Sequence, residues 1–379
     1  MKNVHIKDIC IKGSSALKQK DLLTEGKFPV YGAGGIVGYL DTFHQEKTYI
    51  GIIKDGSGIG RVDFYPEKTS LIGTLQYILP RTGYDIRYIG YCLQSLDLSK
   101  YKQGAAIPHI YFRDYGERIV NVTEDVKEQQ AIVSRLDSAF AKVDAVKANA
   151  EKQLNDAKAL FQKELSKAMT PKEGWERKKL GEVGTFSRGI NFLKSDFVKD
   201  GYPCIHYGQI HTKLGHVTYK HLTCIPEEKV KKEKVASKGD LIIAITSEDV
   251  EASCKCTAWM GDYEIAVGAH AAIFKHSLNP IYVSYYFRSP LFQKEKEKYT
   301  HGFKVVEIKP SDIAKIPISI PPLSEQQAIV THLDTLSEKL KTVEEKQKAI
   351  VAECDAMKQA LLREVFETPP RPSQGEGES

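Results

Sequence analysis

Two stretches of the chain, 128–169 and 325–367, run for about forty residues each without a proline or glycine. In the second, Ile329, Leu333, Leu336, Leu340, Val343, Gln347, Ile350, Cys354, Met357 and Leu361 follow one another at alternating steps of four and three. That is a heptad stripe, the period that keeps one face of a helix against a partner. The first stretch carries the same register at Ile132, Leu136, Ala139, Val143, Val146, Ala150, Gln153, Ala157 and Leu160, poorer in bulk and polar at Gln153. Each opens on the same hexapeptide, Glu128-Gln129-Gln130-Ala131-Ile132-Val133 and Glu325-Gln326-Gln327-Ala328-Ile329-Val330. Two similar rods, each with one apolar stripe, predict that each is the other's partner. They are expected to pair antiparallel, because a whole domain lies between the end of one and the start of the next.

Outside the rods the pattern changes to short apolar runs with turn residues between them. Tyr49-Ile50-Gly51-Ile52-Ile53, Arg61-Val62-Asp63-Phe64-Tyr65 and Thr74-Leu75-Gln76-Tyr77-Ile78-Leu79 read as strands, and Asp55-Gly56-Ser57-Gly58-Ile59-Gly60 as a tight loop. Residues 85–96 have helical spacing, with Asp85 placed to cap the first turn. In the second half, 240–245 and 271–274 read as strands and 281–292 as one helix. Thr170-Pro171-Lys172-Glu173-Gly174 breaks the first rod, and Pro321-Pro322 precedes the second. Ser324 with Gln327 three residues on predicts a capping box there. The tail 368–379 holds no apolar residue, and disorder is expected.

The repeat extends beyond the rods. Tyr88-Ile89-Gly90-Tyr91-Cys92-Leu93 corresponds to Tyr282-Val283-Ser284-Tyr285-Tyr286-Phe287, Lys100-Tyr101 with Gly104 to Lys298-Tyr299 with Gly302, and Ile6-Lys7-Asp8-Ile9 to Leu180-Gly181-Glu182-Val183. The stretches 10–72 and 184–267 share no usable identity. The expected fold class is α+β, an internal duplication with pseudo-twofold symmetry. Mixed domains at 1–127 and 170–324 alternate with helices at 128–169 and 325–367, which form an antiparallel coiled coil.

Composition narrows the class. No apolar run reaches the roughly 18 residues a membrane span needs, and the start, Met1-Lys2-Asn3-Val4-His5, has no apolar signal core. Seven scattered cysteines suit a reducing compartment, so a cytoplasmic location is expected. The net charge is +5. Residues 1–127 hold 17 Lys and Arg against 14 Asp and Glu, and residues 168–324 hold 23 against 18, whereas 128–167 is +1 and 325–367 is −3. The positive excess sits on the globular segments, as in modules that approach a polyanion.

Signals of catalysis fail on inspection. The glycines from Gly32 to Gly38 miss the dinucleotide spacing and suit a hairpin, and Gly56-Ser57-Gly58-Ile59-Gly60-Arg61 lacks the ending of a phosphate loop. Asn279-Pro280-Ile281-Tyr282 resembles the Asn-Pro-Pro-Tyr motif of amino-methyltransferases but lacks the second proline, so helix initiation is the better reading. Cys254-Lys255-Cys256, with Cys204, Cys224, His206 and His270, has the wrong spacing for a zinc ribbon. Strand alternation would put Cys254 and Cys256 on one buried face. What remains is a set of loop side chains suited to phosphates and base edges. They are Lys54, Arg61, Lys102, Gln103, His109 and Arg113 in the first half, and Tyr207, Gln209, His211, Lys213, His301, Lys304 and Lys309 in the second.

With the phrases Gly104-Ala105-Ala106-Ile107-Pro108-His109-Ile110 and Ile316-Pro317-Ile318-Ser319-Ile320-Pro321-Pro322-Leu323, and the doubled Glu-Gln-Gln-Ala-Ile-Val, the chain resembles the specificity (S) subunits of Type I restriction–modification systems. The resemblance covers about residues 1–366. The first junction, Val120-Asn121-Val122-Thr123-Glu124-Asp125-Val126, departs from it by lacking the proline pair. It implies a non-catalytic reader in which 1–127 and 170–324 are target-recognition domains, each contacting one half of a bipartite, gapped site in double-stranded DNA. The rods would set the gap and dock methyltransferase (M) subunits, two of them, with restriction (R) subunits joining; Ile132, Leu136, Val143, Ile329, Leu333 and Leu340 would serve the coiled coil and the partner contact. Cofactors on this chain would be none, with S-adenosylmethionine, ATP and Mg on the partners. The rival reading is an interaction scaffold carrying two binding modules on a coiled coil, without DNA.

Overall fold

The computed structural model describes residues 1–104, 108–300 and 305–366. It is a mixed helix and strand structure with two 44-residue helices, Val126–Met169 and Leu323–Phe366. Contacts divide the chain into two compact units, Met1–Glu151 with the chain from Gln347 on, and Lys152–Lys346. Among the described residues no helix is long and apolar enough to cross a membrane.

In the first unit, strands Cys10–Ser14, Leu75–Pro80, Tyr49–Ile53 and Val62–Tyr65 lie in that order in one antiparallel sheet. A second sheet holds the hairpin Phe28–Gly32 with Gly35–Leu40, and Ser70–Leu71 beside it. Helix Ile86–Ser95 packs on the first sheet. A Cβ at Gly90 would lie 2.2 Å from the Phe64 ring, so only glycine allows this approach. Asp85 caps that helix as its sequence suggests, Oδ1 accepting from the amides of Arg87 and Tyr88. Ile50, Ile52, Ile78, Tyr88 and Ile89 form a core that Leu136, Leu362 and Phe366 of the long helices complete.

In the second unit, strands Gly184–Arg188, Ala271–His276, Leu241–Ala244, Cys256–Trp259 and Val217–Thr218 make one sheet. Thr223–Ile225, Tyr202–Ile205, Ile265–Val267 and Val235–Ala236 make another. The helix expected over 281–292 is two, Pro280–Arg288 and Pro290–Lys296. Pro290 cannot donate to a continuing helix, and the Ser289 hydroxyl caps the new one through the amide of Phe292. Asn279 caps the earlier helix through the amides of Ile281 and Tyr282, with Pro280 in its first turn. Cys254 and Cys256 are buried in one core cluster. Strand alternation does not put them there, since the strand begins at Cys256 and Cys254 has φ of 59°.

The repeated hexapeptide has a structural reason. Its middle glutamine is buried in both copies while the next, Gln130 or Gln327, is not. Gln129 Oε1 accepts from the Asp85 amide at 2.7 Å, and Nε2 donates to the carbonyls of Gly83 and Thr123 at 3.1 and 3.0 Å. In the second unit Gln326 Oε1 accepts from the Asn279 amide at 3.0 Å and Nε2 donates to the Pro321 carbonyl at 2.9 Å. Each glutamine ties the start of a rod to the cap of the tyrosine-rich helix. The tyrosines complete the tie: Tyr91 bonds Asp137, and Tyr285 bonds Asp334 at 2.7 Å.

The rods begin earlier than the hexapeptide suggests. The Asp125 side chain accepts from the Lys127 amide at 2.8 Å, capping a helix that starts at Val126. The second starts at Leu323, so Ser324 lies inside its first turn and forms no capping box; Gln327 Oε1 instead accepts from Asn279 Nδ2 at 3.0 Å. Ion pairs mark how the helices meet. In the first unit Lys147 pairs with Asp355 and Asp144 with Lys358; in the second Lys158 pairs with Glu344, and Glu164 Oε2 lies 3.6 Å from His332 Nε2. Numbers rise along one helix as they fall along the other. Leu136, Val143, Ile329 and Leu333 are buried, and Ile132 and Leu340 half-buried.

Candidate nucleic-acid interface

In the first unit the loop 54–61 turns through positive φ at Gly56, Gly58 and Gly60. A Cβ at Gly60 would sit 2.8 Å from the Ser99 amide nitrogen, so the loop lies close on the segment that follows the helix. Backbone bonds fasten it to the segment around His109: the Gly56 amide donates to Pro108, the Ile110 amide to Lys54, and His109 and Gln103 exchange both bonds. These bonds gather Lys54, His109 and Arg113 around a recess of about 650 Å³, lined also by Lys12, Ser14, Asp55, Gln76 and Tyr111.

The side chains are held by specific partners. His109 Nδ1 lies 2.6 Å from Asp55 Oδ1, and Lys54 Nζ donates to Asp55 Oδ2. Gln103 Nε2 donates to Asp114 Oδ2 at 2.8 Å, and Arg113 Nε lies 3.6 Å from Asp114 Oδ1. The Arg113 guanidinium sits 4.7 Å from the centre of the Tyr111 ring, whose other neighbour is the His109 imidazole, nearly parallel at 26°. Four of the six residues expected in this half are thus brought together around one recess and its rim. Lys102 is exposed at the end of the turn Leu98–Tyr101. Arg61 faces elsewhere, donating to Asp63 at 2.7 Å and to the Ala33 carbonyl in the tip of the hairpin.

In the second unit Tyr207, Gln209 and His211 lie on a short helix, Tyr207–Thr212, with exposed Lys213 at its end. Tyr207 stands amid histidines: its ring centre is 4.6 Å from His206, 6.0 Å from His211 and 5.0 Å from His270. His211 Nε2 donates to the Thr246 carbonyl at 3.0 Å, and His270 Nδ1 lies 3.1 Å from the Thr246 hydroxyl. Burial lowers the pKa of His206, helped by the positive charge of Lys194 and by His270. Gln209 is spent internally, accepting from the His206 amide and donating to Thr223. Lys309 precedes another short helix, Pro310–Ile313, at its N-cap position without a side-chain cap. His301 and Lys304 lie outside the described residues.

The side chains made important by contact and absent from the sequence-derived binding set are Asp55, Asp114, Tyr111 and Lys12 in one unit, and His206 and His270, weighed only as part of a rejected metal set, in the other. No motif spacing marks either cluster, and Asp55 and His109 lie far apart in sequence although they touch in the fold.

A family model described as the Type I restriction modification DNA specificity domain matches residues 1–156 and 172–352. The chain belongs to that family. Among curated specificity-family relatives, the Type I restriction enzyme StySPI specificity subunit of Salmonella potsdam and the EcoKI specificity subunit of Escherichia coli K12 are each 26% identical over 196 residues. Those matches take in 50% of this chain and 42% of either relative's length. The Type I restriction enzyme MjaVIII specificity subunit of Methanocaldococcus jannaschii is 24% identical over 357 residues, 86% of this chain and 83% of that protein. In structure, the chain shares its fold with one solved in work on complex assembly and conformational transition of the type I R-M system, with a TM-score of 0.70, 18% identity and 96% of both chains covered. The recess around His109 and the cluster around Tyr207 are where the structure gathers the sequence-derived polar residues of the two units.

Proposed function

We propose that this chain is the sequence-reading subunit of a Type I restriction–modification enzyme and does no chemistry itself. One observation carries the proposal: the same frame is built twice around two unlike sheets. The buried glutamine, the capped tyrosine-rich helix and the tyrosine-to-aspartate bond recur at Gln129, Asp85 and Tyr91 and at Gln326, Asn279 and Tyr285. A repeated frame with different inserts suits two readers of different half-sites in double-stranded DNA. The recess around His109 supports the first, since lysine, arginine and histidine beside an exposed tyrosine match phosphate contact and base-edge reading.

The long helices act in this proposal as an antiparallel coiled coil that fixes the gap between half-sites, a reading supported by the opposed numbering of their ion pairs. Their outward faces dock two M subunits, and R subunits join that complex. Methylation with S-adenosylmethionine and ATP-driven cleavage with Mg belong to those partners, in the cytoplasm. Sequencing of methylated bases in the host, with and without the gene for this chain, tests the function. The expected outcome is one bipartite gapped motif that loses methylation when the gene is absent; an unchanged methylation pattern overturns the proposal.

A further inference from the structure

Two carboxylates sit among the cationic side chains of the first unit, where a surface meant only to attract a polyanion would have none. Asp55 and Asp114 are mostly covered, with side chains 20% and 29% exposed. Each uses its two oxygens on two different residues. Asp55 holds Lys54 through Oδ2 and His109 through Oδ1, and Asp114 holds Gln103 through Oδ2 with Arg113 Nε 3.6 Å from Oδ1. Backbone bridges pair Asp55 with His109 and His109 with Gln103, and the Asp114 amide donates to the Tyr111 carbonyl two residues beyond His109.

We propose that Asp55 and Asp114 are positioning residues that set the orientation of Lys54, His109, Gln103 and Arg113 for reading a DNA half-site. The inference rests on the proposed DNA-reading function and adds a division of labour within it. A negative charge close to phosphates is unfavourable to binding in general. It is favourable to selective binding when it removes rotamer freedom from donors that must meet one arrangement of base edges. With Nδ1 committed to Asp55, the His109 ring is held in one orientation and its Nε2 is the nitrogen left for a ligand. With Nε 3.6 Å from Asp114 and its guanidinium over the Tyr111 ring, Arg113 is biased toward one plane for its terminal nitrogens.

These two effects have opposite signs, which makes the proposal testable. The assembled complex with its M subunits is measured for affinity to a duplex carrying the motif and to a scrambled duplex, with the wild-type chain, Asp55→Asn, Asp114→Asn and the control Asp63→Asn. Asp63 pairs with Arg61 and is no part of the recess. The expected result is that Asp55→Asn and Asp114→Asn each lower motif affinity about tenfold or more, the scale of a lost base contact, while scrambled-duplex affinity stays level or rises. Asp63→Asn leaves the ratio of the two affinities as in the wild type. An unchanged ratio in the Asp55 and Asp114 variants overturns the inference, as does a rise in both affinities, which marks them as mere repulsive charges. A fall in both together with a lower melting temperature also overturns it, by showing a purely structural role. A wild-type complex that does not prefer the motif overturns the DNA-reading function itself and the inference with it.

Discussion

At the residue scale, the clearest link from sequence to structure is the second residue of Glu-Gln-Gln. The repeat was legible in the sequence, but its cause was not, because a glutamine at the start of a helix looks like any solvated polar residue. Only the fold shows that Gln129 is wholly buried and makes three hydrogen bonds to backbone groups of two loops. Removing a side chain that satisfies buried backbone groups leaves each of them unpaired, at about 1–3 kcal/mol apiece before relaxation. Gln129→Ala is therefore expected to destabilise the first unit by about 2–3 kcal/mol, and Gln130→Ala, an exposed neighbour, by no more than about 0.5 kcal/mol. Hydrogen exchange checks it locally: peptides covering 83–95 and 120–135 lose protection in Gln129→Ala, and keep it in Gln130→Ala.

At the element scale, the existence and extent of both rods were readable from period and from the absence of breakers, but the seam of the first was only half right. Leu136, Val143, Ala150 and Ala157 turn inward as the stripe requires. The alternate positions do not: Val146 and Leu160 are 53% and 57% exposed. The inward set is instead Phe140, Lys147, Leu154 and Phe161, one residue further on. An alanine-rich stripe gives little weight to any register, and Phe140, stacked edge-on to Tyr91 at 5.4 Å, outweighs Ala139. In the second rod, Met357 is exposed for the matching reason, since Lys358 lies over the Phe140 ring and pairs with Asp144. Those contacts define a crosslinking prediction. Asp144→Cys with Lys358→Cys is expected to be joined by a short bis-maleimide, because the native pair is 2.5 Å apart. Asp144→Cys with Lys341→Cys, which a parallel pairing in register would favour, is expected to stay unjoined. The seven native cysteines are buried and should not compete.

At the scale of the whole molecule, the duplication suggests that recognition lies in what the halves do not share, and the proposed reading of the recess around His109 draws its boundary differently. Lys12, Lys54 and Asp55 come from the divergent part, Gln76 lies just past its end, and His109, Tyr111 and Arg113 come from the stretch after the repeated Lys-Tyr-x-x-Gly landmark. The sheet also crosses the limit that identity alone suggests. Strand Leu75–Pro80 lies between Cys10–Ser14 and Tyr49–Ile53, so an exchange of 10–72 leaves a central strand facing two foreign neighbours. Its buried residues Leu75, Tyr77 and Ile78 would then pack against side chains they did not evolve beside, and mismatched cores cost about 1–3 kcal/mol at each overpacked position. A chimera carrying only 10–72 of a relative is accordingly expected to be poorly folded and to methylate little. One carrying 10–80 together with 102–114 moves a complete sheet, the recess and its two positioning carboxylates, while leaving Asp85, Tyr88 and Gln129 in place. Its methylated motif should change in one half and keep the other half and the gap. Finding both halves altered, or the original motif intact in a well-folded chimera, would remove the basis for treating the first unit as an independent reader.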